Sequence, residues 1–145
     1  MRTVADILNS KGNRHVHTVG PTATVLEAIS LMAQHGIGAL VVVASEGRTI
    51  GIVTERDYAR KVVLMERSSY STEVRDIMTA DVITVDPGKS IEFCMALMTE
   101  RRMRHLPVLE NGKLIGMISI GDLVKDIISD QQATIRHLES YIRGE

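Results

Sequence analysis

Two short stretches of this sequence, GIVTERD at residues 51–57 and GMISIGD at residues 116–122, follow the same pattern. Each begins with glycine, continues through aliphatic residues to a hydroxyl-bearing residue, and places an aspartate three positions after it. A Ser or Thr followed three residues later by an acidic side chain is typical of a helix start, with Thr54 and Ser119 as the N-caps. A helix start explains the hydroxyl and the aspartate, but not the glycine or the repetition.

The repetition extends over most of the chain. With the second half shifted back by 66 residues, the stretch at 16–43 aligns with the stretch at 82–109, and after a one-residue gap the match continues to both aspartates. The lead-in VADIL at 4–8 also matches VRDIM at 74–78. An internal duplication of this length predicts two half-domains that share one core. We therefore divide the single module at residues 1–145 into repeat 1 at 10–67, repeat 2 at 74–130 and a C-terminal helical extension at 131–145.

Composition excludes several classes of protein. The 145 residues are 44% hydrophobic and 24% charged, the usual balance of a globular domain. A formal net charge of -1 provides no basic surface for a nucleic-acid backbone, so nucleic-acid binding is not expected. The single cysteine, Cys94, excludes an internal disulfide. No run approaches the roughly 18 apolar residues of a membrane span and no signal peptide is evident, so we expect a cytoplasmic protein without membrane contact.

The residue pattern within each repeat predicts the order strand, helix, strand, strand, helix. Short β-branched runs that end at Gly20-Pro21 and Asp86-Pro87 predict the first strand of each repeat. Apolar residues at spacings of three and four then predict an amphipathic helix. Glu46-Gly47 and Asn111-Gly112 fit the turns of two β-hairpins. We therefore expect an α/β (α+β) fold made of two βαββα repeats.

The residues that repeat resemble those of a known family. The TV.P lead of each repeat, the hairpin RHLPVLENGKLIGMIS at 104–119 and the paired GIVT..D and GMIS..D stretches are similar to the two halves of a CBS domain pair, or Bateman module, of the stand-alone bacterial type. The resemblance covers nearly the whole chain. It implies two repeats packed through their sheets with pseudo-twofold symmetry. It also implies clefts between the repeats that bind adenosine-containing ligands such as AMP, ATP, NAD(H) or S-adenosylmethionine.

Thr54 and Asp57 are the first candidates for ligand contact. A helix that begins at Thr54 presents unpaired N–H groups and a partial positive charge, which suit a phosphate. Asp57 is an acceptor-only carboxylate that can take hydrogen bonds from both ribose hydroxyls, and the resemblance implies this role. Alternatively, Asp57 serves only as a helix cap, and the two roles can coexist. Ser119 and Asp122 are the equivalent pair in the second cleft.

The resemblance also implies that each cleft combines residues of both repeats, because the base lies between the first strand and the hairpin start of the opposite repeat. The candidate residues of the Asp57 cleft are Thr54, Arg56, Asp57, Val82, Ile83, Met103, Arg104, His105 and Pro107. The candidate residues of the Asp122 cleft are Val16, His17, Thr18, Ile37, Gly38, Ala39, Ser119 and Asp122.

The two clefts are predicted to differ in charge, because RRMRH at 101–105 aligns with HGIGA at 35–39. The first two arginines of RRMRH fit a cationic helix end. Arg104 and His105 resemble positions that contact phosphate in the family, although the helix-end role stays open for them too. Arg56 either adds a third positive charge or is an exposed helix arginine. We expect an anionic nucleotide to prefer the cleft that receives Arg104.

The sequence contains no catalytic or metal-binding arrangement. HVH at 15–17 places two histidines on one strand face, but no further Cys or His at fixed spacing completes a metal site. GMISIG at 116–121 places its serine one residue too late for a nucleophile elbow, and neither a Walker A nor a G-x-G-x-x-G fingerprint occurs. We therefore expect a protein that is not an enzyme and has no metal or catalytic cofactor. Its ligand is expected to be AMP, with NAD(H) or ATP as alternatives.

The residues beyond repeat 2 predict one more helix with an apolar stripe at alternating spacings of three and four. The stripe consists of Ile128, Gln131, Ile135, Leu138 and Ile142. A stripe of this kind packs either on its own domain or on a second subunit. The resemblance favours a homodimer, with helix faces at 58–63 and 123–128 contributing.

Two functions fit these observations. The first is a regulatory module that senses an adenine nucleotide and transmits the ligand state to an unidentified partner protein. The alternative is a structural or assembly module whose clefts are vestigial. Retention of the hydroxyl and aspartate pair in both repeats favours the regulatory module, whereas the uncharged GIGA segment at 36–39 indicates that one cleft is weaker.

Overall fold

The structure, a computed structural model, describes residues 2–11 and 16–144. In chain order its elements are α1 (Val4–Ser10), β1 (Thr18–Val19), α2 (Val25–His35), β2 (Ala39–Val43), β3 (Thr49–Thr54), α3 (Glu55–Tyr58), α4 (Ile91–Arg101), β4 (His105–Glu110), β5 (Lys113–Ser119) and α5 (Ile120–Arg143). A π-helical turn at Ala59–Val63 continues α3, and a short 3-10 helix spans Val74–Asp76. The mixed α/β class and the two related repeats predicted from the sequence are confirmed.

Capping residues at both ends fix where α2 and α4 begin and end. Thr24 and Ser90 cap their first turns, because each hydroxyl accepts the N–H of the residue three positions later at 3.2 and 3.1 Å. Gly36 ends α2 in the left-handed region at φ 64, and Arg102 ends α4 there at φ 53. The two helices therefore end alike, although a side chain at this φ is strained and glycine is not.

The strands form a three-stranded and a two-stranded sheet. In the first sheet β1 runs parallel to β2, and β2 pairs antiparallel with β3; in the second, β4 pairs antiparallel with β5. The predicted strand at 82–85 is wrong, since only Val85 makes a bridge, to Val108. In repeat 1 the N–H of Val41 donates to the carbonyl of His17 at 3.4 Å, but the equivalent residue in repeat 2 is Pro107, which has no N–H to donate.

The lead-in of each repeat packs on the other repeat. Val4, Ile7 and Leu8 of α1 are buried in the core of repeat 2, and Val74 and Ile77 are buried in the core of repeat 1. The backbone contacts of the two lead-ins are equivalent. Residues 4 and 5 donate to the carbonyls of residues 89 and 87 at 2.9 and 3.0 Å, and residues 74 and 75 donate to those of residues 23 and 21 at 2.8 and 3.0 Å. The two lead-ins therefore cross over between the repeats in equivalent ways.

The prediction of one shared core is wrong, because each repeat has its own core. The face of β2 opposite to its core is buried too. Val41 lies between Leu40 and Val42, which belong to the core of repeat 1, so its side chain points to the other face of β2. Val41 is nevertheless 0% exposed, so that face is covered as well.

The crossed lead-ins explain the glycine in both repeated stretches. A Cβ atom on Gly116 would lie 2.7 Å from Cδ2 of Leu8 in α1. A Cβ atom on Gly51 would lie 2.5 Å from Sδ of Met78 and 3.1 Å from the carbonyl oxygen of Thr79. Each glycine therefore allows the lead-in of the opposite repeat to lie directly against a strand.

The C-terminal helix α5 runs without a break from Ile120 to Arg143, so the last helix of repeat 2 continues into the extension proposed at 131–145. Its apolar stripe does not pack on its own domain, since Ile128, Ile135, Leu138 and Ile142 are between 48% and 81% exposed. No helix in the described part of the chain is long and apolar enough to cross a membrane.

Candidate functional site

Two clefts lie where the repeats meet. The larger, here the Asp57 cleft, has a volume of about 800 Å³ and includes residues of both repeats. It brings together seven of the nine predicted residues, namely Thr54, Arg56, Asp57, Ile83, Met103, Arg104 and His105. The other two do not line it: Val82 is half-buried elsewhere, and Pro107 is buried within β4. The predicted exchange of residues between repeats is therefore present in the geometry.

One backbone contact in each repeat fixes the equivalent residues 38 and 104. Gly38 accepts a hydrogen bond from the N–H of Glu55 at 3.0 Å, and its counterpart Arg104 accepts one from Ile120 at 2.8 Å. Each contact fixes the start of a β-hairpin against the start of the following helix in the same repeat. The side chain of Arg104 lines the cleft of the opposite repeat, and at Gly38 no side chain is available to do so.

Asp57 forms the predicted capping box. Its Oδ2 accepts hydrogen bonds from the backbone N–H and the hydroxyl of Thr54 at 3.0 and 3.1 Å, and its own N–H donates to that hydroxyl at 3.1 Å. Nζ of Lys61 lies 3.4 Å from the other carboxylate oxygen, Oδ1. The cap role is therefore present, and any contact with a ribose must use the lone pairs that remain.

The start of α3 offers less to a phosphate than its sequence indicates. The N–H of Glu55 already donates to Gly38, and the N–H of Asp57 to Thr54. The α-helix is also only four residues long before the π-helical turn begins. The expectation that phosphate binds at unpaired helix N–H groups is thus not supported here, and side chains must supply most of the positive charge.

Arginine side chains supply that charge. The Asp57 cleft is lined by Arg56, Arg60, Arg101, Arg102 and Arg104. Only Arg56 and Arg104 were predicted to line it. The helix-end role expected for the pair at 101–102 is correct, since α4 ends at Arg101, but the same end also borders the cleft. The additional three are Arg60, Arg101 and Arg102. Their closeness in sequence to Arg56 and Arg104 was the available signal for them.

The smaller cleft, here the Asp122 cleft, has a volume of about 300 Å³. It contains five of the eight predicted residues, Ile37, Gly38, Ala39, Ser119 and Asp122. Val16, His17 and Thr18 do not line it, and the His17 ring instead stacks on His35 with the ring centroids 3.8 Å apart. Sequence reasoning missed four lining residues, Lys11, Gly36, His105 and Met117, and His105 borders both clefts.

The carboxylate of Asp122 has a closer lysine partner than that of Asp57, at 2.9 Å against 3.4 Å. Nζ of Lys11 lies 2.9 Å from Oδ2 of Asp122 and also donates to the carbonyl of Met117 at 3.0 Å. The same Oδ2 accepts the backbone N–H of Ser119 at 2.9 Å. Burial raises the pKa of Asp122, but the hydrogen bonds from Lys11 and Ser119 lower it by more, so this pKa lies below its ordinary value.

His105 is kept neutral by its surroundings. Burial lowers the pKa of the imidazole below 6.5, and the positive charges of Arg104 and Lys11 lower it further, against the opposing effects of Asp122 and Glu55. At neutral pH this side chain is therefore a hydrogen-bonding group and not a cation.

Within residues 2–11 and 16–144, no group of three or more His, Cys, Asp or Glu side chains is arranged to hold a metal ion. His15, one member of the HVH pair, lies outside the described residues.

Comparison with known proteins identifies the family. The CBS domain model matches residues 4–64 and 74–129. A solved CBS-domain protein from Burkholderia ambifaria MC40-6 is 61% identical with a TM-score of 0.86, over 90% of this chain and 96% of that chain. The mitochondrial CBS domain-containing protein CBSX3 of Arabidopsis thaliana is 41% identical over 149 aligned residues, which are 98% of this chain and 72% of that protein.

A more distant structure extends the comparison of folds. The CBS domain pair of protein MJ0100, solved in complex with 5'-methylthioadenosine and S-adenosyl-L-methionine, has a TM-score of 0.80 over 90% of this chain and 98% of that one. At 22% identity it shows the fold alone. With two matched domains and relatives of this similarity, the chain belongs to the CBS domain family and consists of a pair of CBS repeats.

Proposed function

We propose that this CBS pair is a regulatory module that binds an adenine nucleotide in the Asp57 cleft and transmits the ligand state to a partner protein. CBS domain pairs are generally regulatory modules and not catalytic ones. The proposal is carried by the five arginines of the cleft, none of which forms an ion pair within the described residues.

The charge of the Asp57 cleft favours an anionic ligand. Five guanidinium groups around one cleft repel each other, and a ligand with several charged oxygens can bind more than one of them in a bidentate manner. The cleft also contains the carboxylates of Glu55, Asp57 and Asp81, but the arginines outnumber them. The remaining positive charge suits a phosphate.

The rest of the cleft suits a nucleoside. Ile52, Ile83 and Met103 provide an apolar wall for a base, and Asp57 provides a carboxylate for ribose hydroxyls. A volume of about 800 Å³ lies within the range of ligand sites, about 300–1,000 Å³. Adenosine-containing ligands are bound by the MJ0100 pair, which supports this ligand class as a proposal for the present chain. AMP is our first candidate, with ATP and NAD(H) as alternatives.

A second candidate function is assembly without ligand sensing, and exposed apolar helix surfaces favour it. Val63, Leu64 and Met65 are 56–75% exposed after the π-helical turn, and the stripe of α5 is also exposed. We propose that these surfaces hold a homodimer, which is compatible with either function. The cytoplasmic location expected from the sequence stays a prediction.

Isothermal calorimetry with AMP and adenosine tests the regulatory proposal. AMP is expected to bind, and Arg104→Ala to weaken it by about tenfold or more, because a hydrogen bond to a charged group contributes about 1.5–3 kcal/mol. Adenosine, which has no phosphate, is expected to bind the wild type more weakly than AMP does. Arg136→Ala, which removes an exposed arginine of α5, is the matched control and should bind AMP as the wild type does.

A thermal-shift screen provides an independent readout. A ligand present at 100 times its dissociation constant adds about 2.7 kcal/mol to the free energy of unfolding. Failure of AMP, ATP, NAD⁺ and NADH to bind or to stabilise the protein would refute the sensing function and leave assembly as the remaining candidate.

A further inference from the structure

The two aspartates at equivalent positions have different cationic neighbours. Lys61 belongs to the same helical segment as Asp57, four residues further on, and does not line the Asp57 cleft. Lys11 follows α1, is 111 residues away from Asp122 in sequence, and lines the Asp122 cleft itself. The duplication therefore does not account for Lys11, which is specific to one cleft.

The contacts of Lys11 occupy the carboxylate that a ribose would need. Its ammonium group donates to Oδ2 of Asp122 at 2.9 Å and to the carbonyl of Met117 at 3.0 Å. The side chains of Lys11 and Asp122 are only 34% and 23% exposed, so water does not fully screen the pair. A ligand that binds Asp122 must first break both hydrogen bonds of the ammonium group.

We propose that Lys11 determines the specificity of the Asp122 cleft by excluding the nucleotide that the Asp57 cleft binds. The inference rests on the proposed function, since it concerns the same ligand class. Lys11 neutralises Asp122 from within a cleft of about 300 Å³, less than half the volume of the other. Among residues 2–11 and 16–144, Lys11 is the one Lys or Arg that lines this cleft, and its charge is paired with that of Asp122.

Substitutions of Lys11 test whether its side chain excludes AMP from the Asp122 cleft or helps to bind it there. Lys11→Met keeps the length of the side chain and removes its charge. Calorimetry with AMP on the full chain is expected to give one mole bound per mole of wild-type protein and two per mole of Lys11→Met. The second site should disappear in the double variant Lys11→Met/Asp122→Asn. Lys113→Met, which replaces an exposed lysine of repeat 2 outside the cleft, should bind one mole.

Two further variants keep the test independent of folding defects. Lys11→Gln removes the charge but retains a hydrogen-bond donor and should also bind two moles, whereas Lys11→Arg retains the charge and should bind one. If neither neutral variant gains a mole of AMP relative to the wild type, the inference is overturned. Two moles bound to the wild type overturn it as well.

Failure of the proposed function is distinguishable from failure of this inference. A wild type that binds no AMP contradicts nucleotide binding in the Asp57 cleft. If Lys11→Met then gains one mole, the exclusion by Lys11 is supported on its own.

Discussion

Replacing Gly116 with alanine tests whether α1 fits against repeat 2 as closely as the structure shows. The added Cβ would lie 2.7 Å from Cδ2 and 3.2 Å from Cδ1 of Leu8, where apolar carbons prefer about 3.5–4.0 Å. Leu8 or the whole of α1 must therefore move by about 1 Å. Overpacking of this kind costs about 1–3 kcal/mol, which the lower entropy of the unfolded alanine chain offsets by about 0.4–1 kcal/mol.

We therefore expect a net loss of about 1–2 kcal/mol in the free energy of unfolding. Urea denaturation followed by circular dichroism measures this loss as a lower midpoint with an unchanged slope. The matched control is Gly20→Ala, because a Cβ on Gly20 has no neighbour within 4 Å and its φ lies outside the left-handed region. The control should be as stable as the wild type or slightly more stable.

A double-mutant cycle identifies the contact that is responsible. Leu8 is 3% exposed, so Leu8→Ala alone should cost about 2–5 kcal/mol. In Gly116→Ala/Leu8→Ala the new methyl group enters space that the leucine vacates, and the double variant should lose less than the sum of the single losses by about 1 kcal/mol or more. Additive losses, or a Gly116→Ala variant as stable as Gly20→Ala, would show that the lead-in does not lie against this strand.

Three further predictions concern pH, the second cleft and assembly. The pKa of His105 in the folded protein lies below 6.5, so the unfolded chain binds more protons, and the free energy of unfolding should fall as the pH drops from about 6.5 through that lower pKa. His105→Gln should flatten this part of the curve of stability against pH. Parallel curves for the variant and the wild type would contradict the lowered pKa of His105. Gly38→Arg has room for its Cβ, because the nearest atom, Oε1 of Glu55, would lie 3.4 Å away. In the Lys11→Met background this substitution should increase the affinity of the Asp122 cleft for AMP by about tenfold in calorimetry. An unchanged affinity would mean that a side chain at residue 38 does not contact the ligand of this cleft. Light scattering should give twice the 16.0 kDa chain mass for the wild type and about the chain mass for Ile135→Asp/Leu138→Asp, whereas a monomeric wild type would refute the homodimer.

The sequence by itself determined those features that depend on neighbours along the chain. Helix periods, N-cap hydroxyls and hairpin turns act within a few residues, so α2, α4 and both hairpins were predictable. The duplication predicted two equivalent repeats, and the resemblance to CBS domain pairs implied that residue 104 lies in the cleft of Asp57. The capping boxes at Thr54 and Ser119 are also as predicted.

Tertiary structure alone decided the features that depend on contacts between distant residues. The glycines of the repeated stretches are needed because Leu8 lies against Gly116 and Met78 against Gly51, and no local pattern indicates either contact. Pro107 prevents a ladder hydrogen bond only because residues 82–85 approach its strand. The alignment of the repeats shows the difference between Arg104 and Gly38, but Lys11 reaches Asp122 across 111 residues of sequence, so its part in the charge of the second cleft depends on how the chain packs.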